Sequence, residues 1–286
     1  MPDDDIAGRV TVMPRLRSIV TFVDDDPRSK VRLDTAIEIA RMQDAHLEVL
    51  ALRYDPNIPP YAFGDAAAST LMQALENSRA AAKAHAAEAQ KAIEIAAIRG
   101  DAIPRVTLYR DIERKVAEAA RFADLAIVSS PYGADVSSTA SDILDGLLYD
   151  GDVPALVLPE DAADFDAGMI LIGWDGSRQA LKAVKGAMPL LQQAGKVEIC
   201  VFDPQDDTPG ETLATMLARH DVTVEIAVLP RPSGSIAEAL SQRAREIGAG
   251  LLVMGAYGHS RFRESVIGGV TRDTLRDLSV PLLIAH

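Results

Sequence analysis

The chain repeats itself, and that repeat limits the folds open to it more than any other feature. Near the start of each half, a short β-branched strand ends in an acidic turn and runs into an amphipathic helix. The first copy is residues 18–23, SIVTFV, before Asp24-Asp25-Asp26-Pro27; the second is residues 169–174, MILIGW, before Asp175-Gly176-Ser177. Helices are expected to open at Ser29 and Ser177, each read as an N-cap. The halves also close alike. Residues 123–128, ADLAIV, lead to Pro131-Tyr132-Gly133, and residues 249–254, AGLLVM, lead to Ala256-Tyr257-Gly258. A helix and a last apolar strand follow in each, VPALVL at 153–158 and VPLLIA at 280–285.

The strands are near-continuous apolar runs separated by helical patterns, which predicts an α/β fold with a parallel sheet covered on both faces. Residues 161–168 are small and polar, so the boundary is set there, between units 15–160 and 167–286. Residues 65–97 are Ala-rich without Pro or Gly and predict a long helix, broken once at most, with no equal in the second half. We read it as scaffold.

Composition removes several function classes. Lys plus Arg number 29 against 42 Asp plus Glu, a formal charge of -13, which repels nucleic acid and anionic membrane surfaces where no basic patch is present. No apolar run approaches the ~20 residues of a membrane helix, and the acidic start MPDDDIAGRV does not read as a secretory leader. The single cysteine, Cys200, fits a reducing, cytoplasmic setting and reads as a buried small hydrophobe. His46, His85, His220 and His286 are scattered without partners at ligand spacing, so no metal site is expected. No Gly-x-Ser-x-Gly elbow, Walker lysine or nucleophile with its base is present, so no catalytic residue is assigned.

The segment richest in chemistry runs from residue 251 to 271. A buried strand ends at Gly255, a glycine-bearing loop follows, and a helix opens over residues 268–271. Amides exposed at a first helical turn, with the helix dipole, hold an anion without any basic side chain. In a parallel sheet such a pocket lies beyond the carboxyl ends of the strands, at the topological switch point. Asp175 is then placed to face a base or ribose, although it also reads as an ordinary turn acid. Trp174, the only tryptophan, reads equally as a stacking platform or a plug of the sheet mouth.

Gly255, two residues, Gly258, nine residues and Gly268 together resemble the phosphate-loop motif of the universal stress proteins. The resemblance takes in Asp175, the turn Gly234-Ser235-Ile236-Ala237 and the closing residues 280–284, and two such units resemble the tandem members of that family. It implies two Rossmann-like (adenine nucleotide alpha hydrolase-like) domains, each a five-stranded parallel sheet of order 3-2-1-4-5, paired through their last strands. It implies ATP, or ADP or AMP, with or without Mg2+, held near Gly173, Trp174, Asp175, Val201 and Met254, with the phosphates on Gly255, Gly258, His259, Gly268, Gly269, Val270 and Thr271. It implies a cytoplasmic, homodimeric stress-response sensor or regulatory module. Enzyme activity is not expected beyond a slow ATP hydrolysis, for which only His259, Arg261 and Arg263 are candidates.

Two departures matter. Gly269 stands where the family's ATP binders carry Ser or Thr, which removes a hydroxyl but keeps the amide. In the first half Ser130 replaces the first motif glycine, with Asp135 and Asp142 where a phosphate loop would sit, and Asp24, Asp25 and Asp26 are expected to repel a triphosphate. That half is read as a degenerate partner. A non-binding dimeric scaffold is the rival reading that Gly269 keeps open. The acidic turn after residue 23 also resembles that of a receiver domain, but the phosphoacceptor Asp and the Lys that such a domain needs are missing.

Overall fold

The computed structural model describes residues 15–55, 65–134, 136–161, 165–203, 208, 210–256 and 269–286. The first half contains β1 (Ser18–Val23), α1 (Ser29–Gln43), β2 (His46–Asp55), α2 (Asp65–Ala96), β3 (Gly100–Leu108), α3 (Ile112–Ala120), β4 (Leu125–Ser129), α4 (Ala140–Asp145) and β5 (Ala155–Leu158). The second contains β6 (Met169–Gly173), α5 (Arg178–Gly186), α6 (Met188–Leu191), β7 (Lys196–Phe202), α7 (Glu211–Ala218), β8 (Glu225–Leu229), α8 (Ile236–Ile247), β9 (Leu251–Gly255), α9 (Gly269–Arg276) and β10 (Leu282–Ala285).

Ten strands form one sheet of order β3-β2-β1-β4-β5-β10-β9-β6-β7-β8. Each half therefore has the order 3-2-1-4-5 that the resemblance implies. Neighbours are parallel throughout except at the seam, where β5 and β10 run antiparallel with Leu283 opposite Leu156. The last strands thus satisfy each other within the chain. This is the pairing through last strands that the resemblance implies, and among the described residues the outer strands of the sheet are β3 and β8.

Both faces are covered, as the unbroken apolar strands require. Helices α1, α2, α5, α6 and α7 bury Ile39, Ile93, Val184, Leu191 and Leu217 on one face. On the other, α3, α4, α8 and α9 bury Val116, Leu144, Leu240 and Leu275. The long Ala-rich segment is a single unbroken helix, α2, whose counterpart α7 has only 8 residues. Its small Ala82, Ala86 and Ala89 let it lie close over β2 and β3.

Helices α1, α5 and α8 open where the sequence placed them, but the expected caps are made at α5 and not at α1. Ser177 caps α5 by accepting from the Ala180 amide at 3.0 Å, and Ser235 forms a reciprocal capping box with Glu238 in α8. Ser29 does not cap α1. Its hydroxyl is taken instead by the Asp24 carboxylate, at 2.7 Å.

Candidate functional site

In the second half the chain leaves β6 toward β7 and β8, while β9 lies on β6's other side. The switch point is therefore the crevice at the carboxyl ends of β6 and β9, where Gly173 stands opposite Met254. Trp174 continues β6 with its amide bonded to the Cys200 carbonyl at 3.0 Å, and its half-buried ring packs on the core beneath α5. Asp175 is exposed, and one of its carboxylate oxygens accepts from the Ser177 amide at 2.9 Å. That bond shapes the turn through Gly176, whose φ of 74° suits glycine. Asp175 is thus a turn acid at the mouth, and the turn keeps it there.

Gly255 has a structural reason of its own. A β-carbon on it would lie 2.5 Å from the Ala180 nitrogen and 2.9 Å from the Gln179 carbonyl carbon, so β9 can touch the first turn of α5 only as glycine. Gly173 is tight as well, with the Leu240 methyls 3.3 Å from where a β-carbon would sit. Met254 is buried beside it. The Val201 side chain is also buried, on the α7 face of the core, so it offers no side-chain surface to the crevice. Gly269 and Val270 are exposed in the first turn of α9, and Thr271 is buried. A β-carbon on Gly269 would meet only the Asp273 carboxylate, at 3.8 Å. Gly258, His259 and Gly268 lie outside the described residues.

The switch point of the first half, between β1 and β4, is filled by the protein itself. Arg32 of α1 donates to the Phe22 carbonyl (2.8 Å), the Ser129 hydroxyl (2.8 Å), Asp24 (3.0 Å) and the Ser29 hydroxyl (2.9 Å). Beside it, Arg28 grips Asp26 through Nε at 2.9 Å and Nη2 at 2.6 Å, and its Nη1 donates to the Ser130 carbonyl at 2.8 Å. All four charged side chains are at least nine-tenths buried. What remains among Phe22, Arg32, Ser129 and Ile143 is a cavity of about 10 Å³, room for one water.

This corrects the expectation of an open acidic mouth. Asp24 and Asp26 are neutralised by buried arginines, and the obstacle to a ligand is occupation rather than charge. Asp25 stays exposed and pairs with Arg53 on β2. Burial pushes the Asp26 carboxyl up, but hydrogen bonds from Arg28 and the charges of Arg28 and Arg32 outweigh it and hold it below the ordinary carboxylate range. Asp142 is on α4, where burial raises its carboxyl; Asp135 lies outside the described residues. The plug was readable in part. Buried positions 32, 36, 39, 40 and 43 follow helical spacing, which puts Arg32 on the inward face of α1.

The second half carries an ion pair with one buried partner. Glu198, in the middle of β7, accepts a fork from Arg243 of α8 at 2.7 and 2.6 Å. Cys200 lies fully buried nearby, and burial pushes its thiol up to about 12, which makes it inert as a nucleophile at neutral pH. Among the described residues no group of His, Cys, Asp and Glu could hold a metal ion, and no helix is long and apolar enough to cross a membrane.

Residues 168–286 match the model of the universal stress protein family. Over this half the chain is similar to the universal stress proteins. A universal stress protein of Synechocystis is 30% identical over 139 residues, which cover 46% of this chain and 46% of that protein, so the match spans about half the length of the curated relative. A solved universal stress protein from Archaeoglobus fulgidus superposes with a TM-score of 0.70 at 15% identity, covering 94% of this chain and 97% of that one. A putative universal stress protein from Pseudomonas aeruginosa gives 0.55 at 18% identity, covering 94% and 93%. The fold of both halves is therefore one that universal stress proteins adopt over nearly their whole length.

Proposed function

We propose that the chain is a tandem universal stress protein, with units 15–160 and 167–286, that binds one adenine nucleotide at the carboxyl ends of β6 and β9. ATP is the first candidate, ahead of ADP and AMP. The reading rests on the contrast between the two switch points. One is plugged by Arg32 and Arg28, while the other ends in an exposed acid, a half-buried tryptophan and the open first turn of α9. Amides of Gly269 and Val270, with the helix dipole, would receive phosphate oxygens, and residues 255–269 would supply the rest of the cradle, Gly258, His259 and Gly268 included. Asp175 and Trp174 would meet the ribose and base, beside Gly173 and Met254, with Val201 contributing backbone alone.

The activity we infer is binding and regulation in a cytoplasmic stress response, with a slow ATP hydrolysis at most. Nucleotide bound there would alter a surface read by a partner. The pairing of β5 with β10 already gives an internal pseudo-dimer, so a homodimer would use another surface. Gly269→Ser tests the phosphate cradle, because the site has room for the side chain. A hydroxyl donating to a charged oxygen strengthens binding by about 1.5–3 kcal/mol, roughly tenfold or more in Kd. Unchanged affinity by titration calorimetry would argue against phosphate at α9.

A further inference from the structure

Helix α9 joins the two switch points. Because β10 runs parallel to β9, the first turn of α9 lies on the carboxyl-end side of β9, and eight residues, about 12 Å, later its last turn reaches the N-terminal half beside the end of β4. There the Ser130 hydroxyl donates to the Leu275 carbonyl at 2.9 Å, buried, and satisfies one of the carbonyls a helix end leaves open. The Arg276 guanidinium lies over the Tyr132 ring, 5.1 Å from its centre. Ser130 is itself held, because its carbonyl accepts from Arg28, which Asp26 fixes, and its hydroxyl also accepts from the Tyr132 amide at 3.2 Å.

The contact is one-sided. The pseudo-symmetric counterpart of Ser130 is Ala256, which has no hydroxyl, and the counterpart of Arg276 is Tyr149, which packs on the His286 ring at 4.6 Å instead. The sequence put Ser130 in place of the first motif glycine, but the strand register gives that place to Ser129, which stands opposite Leu158 as Gly255 stands opposite Ala285.

We propose that Ser130 and Tyr132 are positioning residues for the nucleotide site of the other half, holding α9 so that its first turn is pre-ordered for phosphate. The proposal rests on the nucleotide reading above. A helix already held costs less to order when ligand arrives, so loss of the brace weakens binding without touching a ligand contact. The test measures ATP affinity from Trp174 fluorescence, and hydrogen exchange of the α9 amides without ligand, in the full chain. Tyr132→Leu is expected to speed α9 exchange and weaken ATP binding about two- to fivefold, Ser130→Ala about fivefold, and both together about tenfold or more. Tyr132→Phe keeps the ring and restores wild-type values, which a general loss of packing would not explain.

Unchanged α9 exchange in Ser130→Ala and Tyr132→Leu overturns the brace, whatever the nucleotide result. Faster exchange with wild-type affinity overturns its role in binding. A wild-type chain that binds no adenine nucleotide overturns the parent reading, a failure visible before any variant is made.

Discussion

Replacing Arg32 with Met tests the plug of the first half. The substitution keeps most of the apolar stem but removes the guanidinium from Phe22, Ser129, Asp24 and Ser29. Among the described residues Asp24 then keeps the Ser29 hydroxyl at 2.7 Å and the Asp26 amide at 3.3 Å, in a site where its side chain is 5% exposed. Breaking a buried pair from one side costs about 3–5 kcal/mol, because the remaining charge stays desolvated. For a chain of this size each kcal/mol moves the midpoint by about 2–4 °C, so a fall of roughly 10 °C is expected in a thermal melt followed by circular dichroism. Asp24→Asn/Arg32→Met should recover much of that loss, with a coupling of about 2 kcal/mol or more. A single-variant cost below about 1 kcal/mol, or additive behaviour in the cycle, would refute the claim that this pair fills the switch point.

Other expectations follow from local environments. Burial, helped by Glu113 and Asp142, raises the Asp145 carboxyl to about 6 from 3.8, so folding takes up a proton between those pH values and stability declines as pH rises through the window. Asp145→Asn should therefore stabilise the chain at pH 7.5 by about 1–2 kcal/mol, after allowing for partial exposure, and by little near pH 4.5; equal gains at both would contradict this. Asp26 acts in the other sense. Its lowered carboxyl stabilises the fold above about pH 4, and that contribution disappears on acidification. Gly255→Ala should cost about 1–3 kcal/mol through its contact with α5, measured by denaturant unfolding, whether or not ATP is present.

The repeat, the strands β1, β4, β5, β6, β9 and β10, and helix α2 were legible because each rests on local pattern, apolar runs and acidic turns, whereas the 3-2-1-4-5 order came from the family resemblance. What escaped depends on partners distant in sequence. The triplet Asp24-Asp25-Asp26 reads as repulsive until Arg28 and Arg32 fold against it, and the glycine at 255 reads as a loop residue until α5 lies across it. Glu198 sits among the apolar residues of β7, and its partner Arg243 lies 45 residues on. Ser130 looked like a lost glycine. Its hydroxyl has a role only because α9 of the other half ends beside it.

The most direct measurement is the number of adenine nucleotides bound per chain, by calorimetric titration of nucleotide-free protein with ATP. One per chain is predicted, with the plugged first half taking none. No binding at millimolar ATP would contradict the site at β6, β9 and α9, and two per chain would contradict the filled switch point.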